Sequence, residues 1–343
     1  MSTTNLPGDI LNTMRYPTID PLPDTVRRPF WSVMIPTHNR VNYLEKTIKS
    51  VLDQDPGQDC MQIEVIDNFS SPELNVAELV REIGDSRVLY YRQPHLVDFQ
   101  ENWSTCIRRS VGRYVHILHD DDRVLPGFYK VYQQFIDQHP EVKLVFSQAI
   151  HIDDRDQQTS LYKPAIPDFP NGVIDMALPL LVQENFIYST SVVVPREIYE
   201  KIGGFHPSVM HTVDWDMWLR ISLEGPIGYV QQPLLAYRIH SKSGSYSQNN
   251  TVELIDKKYE DICYIINTYQ DYLPPPLRRA TAKHFMRSFA ISANTQMKYL
   301  LKHRKYLLAS HHAQWSKKMY PSSINRSRLW WYNLCYFRED TLT

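Results

Sequence analysis

Short apolar runs, each closed by a polar turn, punctuate the first half of the chain. Trp31-Ser32-Val33-Met34-Ile35 ends in Pro36-Thr37-His38-Asn39-Arg40, and Ile63-Glu64-Val65-Ile66 ends in Asp67-Asn68-Phe69-Ser70-Ser71. Val88-Leu89-Tyr90-Tyr91 follows, then Tyr114-Val115-His116-Ile117-Leu118, which runs into His119-Asp120-Asp121-Asp122. Apolar runs of this length, bounded by turn residues, predict buried strands. Between them apolar residues recur at helical spacing: Leu44, Ile48, Val51 and Leu52; Val76, Leu79, Val80 and Ile83; Trp103, Cys106 and Ile107. Asn42 with Glu45 three residues on reads as a capping box. Strands alternating with helices predict an α/β domain whose sheet gathers ligands at its carboxyl edge. Right-handed crossovers place Asn39, Asp67 and Asp120–Asp122 on one rim.

The alternation continues with a helix after Pro126 (Phe128, Tyr132, Phe135, Ile136) and a strand Leu144-Val145-Phe146. From about residue 150 it loosens into Asp- and Pro-rich loops, read as an insertion over the sheet. Val192-Val193-Val194 predicts a strand, and the helix from Arg196 stops at Gly203, a glycine C-cap. Residues 1–29, dotted with prolines, read as an extended leader that packs as irregular chain or stays loose. Residues 30–250 form the α/β domain. Residues 251–343 differ: Val252, Ile255, Tyr259, Ile262 and Ile266 mark one helix, Pro274-Pro275-Pro276 breaks the chain, and Ala282 to Leu301 mark a second.

Charge sharpens that division. The net charge of −1 hides 22 basic and 31 acidic residues in 1–250 against 15 and 7 in 251–343. The basic end also carries Trp315, Tyr320, Trp330, Trp331, Tyr332, Tyr336 and Phe337. Such a region suits peripheral contact with a membrane surface, or helices packed with a solvated basic face. No apolar run is long enough to span a bilayer. Four scattered cysteines without a Cys-x-x-Cys pair argue against a zinc ribbon and fit a reducing, cytoplasmic setting. No P-loop, no G-x-G-x-x-G after the first strand and no G-x-S-x-G elbow occurs, which excludes several nucleotide and hydrolase chemistries.

The candidate chemistry centres on Asp120-Asp121-Asp122. Three adjacent carboxylates repel unless a cation or water screens them. Oxygen ligands suit a hard ion such as Mg2+ or Mn2+, which binds through one or two carboxylates plus substrate phosphates. The alternative reading is a solvated acidic loop.

The motifs Ser32–Arg40, Ile63–Asn68, Gly112-Arg113-Tyr114, Asp120–Asp122, Gly203-Gly204-Phe205 and Asp214-Trp215-Asp216-Met217-Trp218-Leu219-Arg220 occur in the order seen in family 2 glycosyltransferases, which residues 30–245 thus resemble. The resemblance implies a GT-A, Rossmann-like nucleotide-diphospho-sugar transferase domain with a helical C-terminal appendage. It implies an inverting transferase dependent on Mn2+ or Mg2+. The donor is a nucleoside-diphosphate sugar, with UDP or dTDP preferred, and the acceptor a hydroxyl of a polysaccharide or glycolipid; no nucleic acid is involved. Pro36, Thr37, His38, Arg40, Asp67, Asn102 and Asp120 would bind the nucleotide sugar. Asp121, Asp122 and His240 would hold the metal, with Ser241–Gly244 a flexible lid. Asp214 would be the catalytic base. Two departures stand out: His119 replaces the first Asp of the usual Asp-x-Asp-Asp, and Asn68 replaces a second Asp. A catalytically silent carbohydrate-binding protein on the same fold and a sugar nucleotidyltransferase are the alternatives. Against the latter, Pro36–Arg40 is not a glycine- and arginine-rich loop.

Overall fold

The computed structural model describes residues 16–167, 169, 172–240 and 251–319. They form two compact units. The first takes the described residues up to Leu178 with Phe186–Ser208 and Val213–His240; the second takes Pro179–Asn185, Val209–Thr212 and the described residues after 240.

The first unit is built on β1 (Trp31–Thr37), β2 (Met61–Asp67), β3 (Leu89–Arg92), β4 (Tyr114–Ile117), β5 (Arg123–Val124), β6 (Val145–Ile152), β7 (Gln158–Tyr162), β8 (Val173–Ile174), β9 (Val193–Pro195) and β10 (Ile227–Arg238). The sheet runs β3-β2-β1-β4-β9-β6-β10-β5, with β7 on β6 and β8 on β10. β3, β2, β1 and β4 are parallel, whereas β9 is antiparallel to both β4 and β6. All seven residues of β1 are buried, as a central parallel strand covered on both faces requires. That is why it reads as a continuous apolar run rather than an alternation.

Helices α1 (Leu44–Leu52), α2 (Val76–Gly84), α3 (Phe99–Arg109), α4 (Phe128–Gln138), α6 (Arg196–Ile202) and α7 (Val213–Ser222) accompany these strands, while the single turn α5 (Leu178–Leu181) falls almost wholly in the second unit. Leu44, Ile48 and Val51 of α1 join Val33, Ile35, Val65 and Val80 in the main core. Gly112 lies where a Cβ would stand 2.5 Å from the Trp31 carbonyl carbon, so its place in the motif before β4 follows from contact with β1. Residues 16–29 pack as irregular chain: Ile19 is buried, and the Pro17 carbonyl accepts from Gly204 N at 2.7 Å.

The structure corrects several expectations. The capping box is absent: α1 starts at Leu44 after Tyr43, and Glu45 instead accepts from Lys49 at 2.5 Å. The acidic motif turns at Asp120 and Asp121 and leads into the two-residue strand β5. The expected loops beyond residue 150 contain a hairpin, β6 with β7. A twelve-residue strand, β10, passed unpredicted; Gln231-Gln232-Pro233 interrupt its apolar pattern, and register shifts fall on both sides of Pro233.

The second unit contains α8 (Val252–Tyr269), α9 (Pro275–Lys302) and α10 (Tyr306–Met319). Thr251 caps α8 by accepting from Leu254 N at 3.2 Å. The proline run starts α9 rather than merely breaking the chain, because proline at the first helical turn forfeits no hydrogen bond. Met297, Leu300, Ala309 and Ala313 form a small core between α9 and α10. Trp315, one of the tail aromatics, is buried on α10, stacks on Tyr259 and donates its Nε1–H to Asp256 at 2.7 Å. The expectations for Tyr320 to Phe337 and for the 241–244 lid lie outside the described residues. No described helix is long and apolar enough to cross a membrane.

Candidate active site

Register brings the candidate residues together. Thr37 of β1 pairs with Asp67 of β2, and Met34 pairs with Ile117 of β4, so the β4 loop reaches the same rim as both strand ends. There Thr37 Oγ1 donates to Asp120 Oδ2 at 2.6 Å. Pro36, paired with Ile66 one residue earlier, supplies backbone to this edge. Thr47 of α1 donates to the Asp122 carbonyl at 2.8 Å and fixes the loop from below.

The three carboxylates are buried and differ in their partners. Arg40 Nη1 reaches Asp120 Oδ1 at 3.0 Å and Asp121 Oδ2 at 2.5 Å. Asp121 Oδ2 also accepts from His240 Nε2 at 2.9 Å. Asp122 accepts from Thr190 Oγ1 at 2.7 Å on Oδ2 and from Arg238 N at 2.7 Å on Oδ1. Burial raises Asp120 and Asp122, with the Asp121 charge adding to both; Arg40 opposes the rise at Asp120. Burial acts on Asp121 too, but the hydrogen bond from His240 and the Arg40 charge hold it below the ordinary carboxylate range. Burial pulls the Arg40 guanidinium down, but Asp120 and Asp121 more than offset this and raise it.

His119 finds a structural explanation. Its ring stacks on Trp103 of α3, centroids 4.8 Å apart and 27° between planes. A carboxylate there would face an aromatic surface. Desolvation lowers His119 to about 4, so the ring is neutral near neutrality and offers a nitrogen lone pair. The ligand atoms of His119, Asp121 and Asp122 all lie within 4.8 Å of one another. One imidazole nitrogen and carboxylate oxygens fit a divalent cation such as Mn2+.

Beside this cluster an open cleft of about 690 Å³ is lined by His38, Asn68, Leu96, Val97, Asp98, Phe99 and Glu101. His38 Nδ1 donates to the Asn68 carbonyl at 2.8 Å, and its Nε2 accepts from Asn39 Nδ2 at 3.0 Å. The Asn39 amide is oriented by its Oδ1, which accepts from Ser71 N at 2.7 Å.

Two predicted binding residues serve the fold directly. Asp67 is fully buried and accepts from Ser70 N at 2.9 Å, Tyr90 Oη at 2.7 Å and Arg92 Nη1 at 3.0 Å. Burial, and then the Asp67 carboxylate it donates to, pushes Tyr90 up to about 12. Asn102 is also buried, accepting from Gln93 at 3.1 Å and donating to the Ile66 carbonyl at 3.4 Å. Asp214 lies half-buried in the first turn of α7 and accepts from Trp215 N at 2.7 Å. Asp216 faces the core, where Arg220 Nε donates to it at 3.1 Å and also binds the Ile202 and Gly204 carbonyls.

Sequence reasoning missed Thr190 and Arg238. Arg238 is buried, donates Nε to the Asp121 carbonyl at 2.9 Å and stacks its guanidinium 4.3 Å from the Tyr43 ring centre. An arginine two residues before His240 was the available signal.

Residues 32–203 match the family model described as glycosyl transferase family 2. An uncharacterised protein of Mycobacterium tuberculosis is 28% identical over 223 residues, covering 62% of this chain and 67% of its own. An uncharacterised glycosyltransferase of Rickettsia felis is 24% identical over 65% of this chain and 36% of its own length, so the match spans about a third of that relative. Among solved structures, residues 1–349 of S. aureus TarS in complex with UDP-GlcNAc give a TM-score of 0.53 at 11% identity, over 86% of this chain and 93% of that one. The same TarS segment in complex with UDP gives 0.52. At such identity the likeness concerns the fold.

Proposed function

The chain belongs to glycosyl transferase family 2 and has the GT-A fold, and on that footing we propose that it moves one sugar, with inversion, from a nucleoside-diphosphate donor to a hydroxyl of a polysaccharide or glycolipid. The observation that carries this reading is the meeting of Asp120–Asp122, Arg40 and the His38/Asn68 cleft at one strand-end rim. UDP is the favoured nucleotide, because TarS of the same fold has been crystallised with UDP-GlcNAc and UDP.

In this reading the nucleoside end occupies the cleft beside His38. Arg40 and Asp120 border the ribose and phosphates, with Thr37 holding Asp120 in place. Asp67 and Asn102 act through the backbone they order rather than by touching the donor. Asp121, Asp122 and His119 would hold Mn2+ or Mg2+, with Thr190 and Arg238 orienting Asp122 and His240 beside Asp121. A divalent cation bound there supplies positive charge that stabilises the departing diphosphate. Asp214 takes the proton from the acceptor hydroxyl as its oxygen attacks the anomeric carbon. Binding residues surround a donor whose phosphates the acidic loop could not tolerate without a cation between them.

The test is sugar transfer, or slow donor hydrolysis, from UDP-sugars by the purified full chain with Mn2+. Asp214→Asn is expected to lower turnover at least about 100-fold while leaving UDP affinity unchanged, as removal of a general base does. Undiminished transfer by that variant rules out Asp214 as the base.

A further inference from the structure

The resemblance leads one to expect a second aspartate at position 68, and the contacts of Asn68 give its amide a use that a carboxylate lacks. The side chain is 5% exposed. Its Nδ2 donates to the Val97 carbonyl at 2.8 Å, and its Oδ1 accepts from Val97 N at 3.0 Å. One side chain thus pairs with both backbone groups of one residue, as a neighbouring strand would. Asn68's own backbone faces the other way: its N–H donates to the Thr37 carbonyl at 2.8 Å, and its carbonyl accepts from His38 Nδ1 at 2.8 Å. Asn68 therefore joins the turn after β1 to the segment between β3 and α3.

That segment forms one wall of the cleft, presenting Leu96 at 56% exposure and Phe99 at 36%. Its start is tied by Gln93, whose N–H donates to the Asp67 carbonyl at 2.8 Å and whose side chain donates to Asn102. The Val97 pair ties its middle. We propose that Asn68 is the positioning residue of the nucleotide cleft, holding Val97 so that Leu96 and Phe99 form an apolar wall for the nucleobase. This rests on the reading of the cleft given above. Recognition of the base then depends on an amide: a donor and an acceptor are needed together, and an ionised carboxylate offers only acceptors. Facing the Val97 carbonyl, it would repel that oxygen and strand it without a donor.

A protonated carboxyl, by contrast, carries one O–H donor and one acceptor and matches the amide's pattern. Asn68→Asp is thus a break that acid repairs. The titratable and charged groups around the position are His38, Asp67, Arg92, Asp98 and Glu101. All are present in the wild type, so the ratio of variant to wild type isolates the introduced carboxyl. An unperturbed Asp titrates at about 3.9, and burial raises it.

The experiment uses the full chain, with UDP and Mn2+ as the probe in calorimetry, and amide hydrogen exchange of residues 93–99 without ligand. At about pH 8, Asn68→Asp is expected to bind UDP about tenfold more weakly than wild type, the worth of the lost pairing. Its 93–99 amides exchange faster, while β1 and β2 stay protected. Toward about pH 5 the affinity ratio returns toward one, which a merely unfolded sheet would not do. Asn68→Leu stays weak at every pH. If Asn68→Asp matches wild type in both affinity and exchange at about pH 8, the positioning role is overturned. If wild type binds no UDP, the nucleotide reading of the cleft is overturned instead, and the exchange result separates that failure from one at Asn68.

Discussion

The strand-end rim and the C-terminal helices both bury carboxylates, and they treat them in opposite ways. In the helical unit Asp261 is buried with donors of its own: Lys257 Nζ at 3.0 Å, Met210 N at 2.9 Å and His211 N at 2.8 Å. At the rim three consecutive carboxylates crowd together, and one guanidinium, Arg40, is shared between Asp120 and Asp121. Asp216 gives an internal control within the first unit, since Arg220 is its buried partner. A buried charge with matched donors holds elements in place. Buried charges pressed against each other cost stability, an arrangement that persists where a ligand or ion brings the missing charge.

Three substitutions and one titration sharpen that contrast. Asp216→Asn removes the carboxylate that the buried Arg220 guanidinium pairs with and should cost about 3–5 kcal/mol, read as a lower urea midpoint. Asp120→Asn removes one charge from the crowd and should leave stability within about 1 kcal/mol of wild type or above it. Equal losses from both would erase the distinction between the two kinds of carboxylate. Next in size is a pH effect at His116, fully buried between Tyr129 Oη at 3.1 Å and the Thr190 carbonyl at 2.9 Å. Burial lowers His116 from 6.5 to about 4. Its contribution is therefore full above about 6.5 and is lost as pH falls through the window down to about 4, about 3 kcal/mol in all. Asp120, raised in the fold, works in the opposite direction, so the informative quantity is the difference from His116→Gln, which stays neutral. A constant difference across that window would contradict the buried neutral imidazole. Thr190→Val, which deprives Asp122 of one donor, should cost about 2 kcal/mol.

Much of this architecture was legible because parallel strands buried on both faces write themselves as apolar runs. β1, β2 and β4 and the helices α1 to α4 follow directly from that pattern. β10 was not legible, since Gln231, Gln232 and Pro233 interrupt it and its partner β6 lies some eighty residues earlier. The acidic loop was visible as residues, but not its division of labour. Asp122's partners Thr190 and Arg238 are 68 and 116 positions away, and nothing local announces them. His119 looked anomalous until Trp103 supplied the ring beneath it. Asn68 looked like a weakened aspartate until Val97 showed why an amide is used.

The central claim is that the Asp120–Asp122 rim receives a cation together with a nucleoside diphosphate. Calorimetric titration of UDP into the full chain, with Mn2+ and then with a chelator, tests it most directly, alongside Asp121→Ala. Tighter UDP binding with Mn2+, by about tenfold or more, and loss of that gain in Asp121→Ala are predicted. UDP affinity indifferent to the metal, and unchanged by Asp121→Ala, would contradict it.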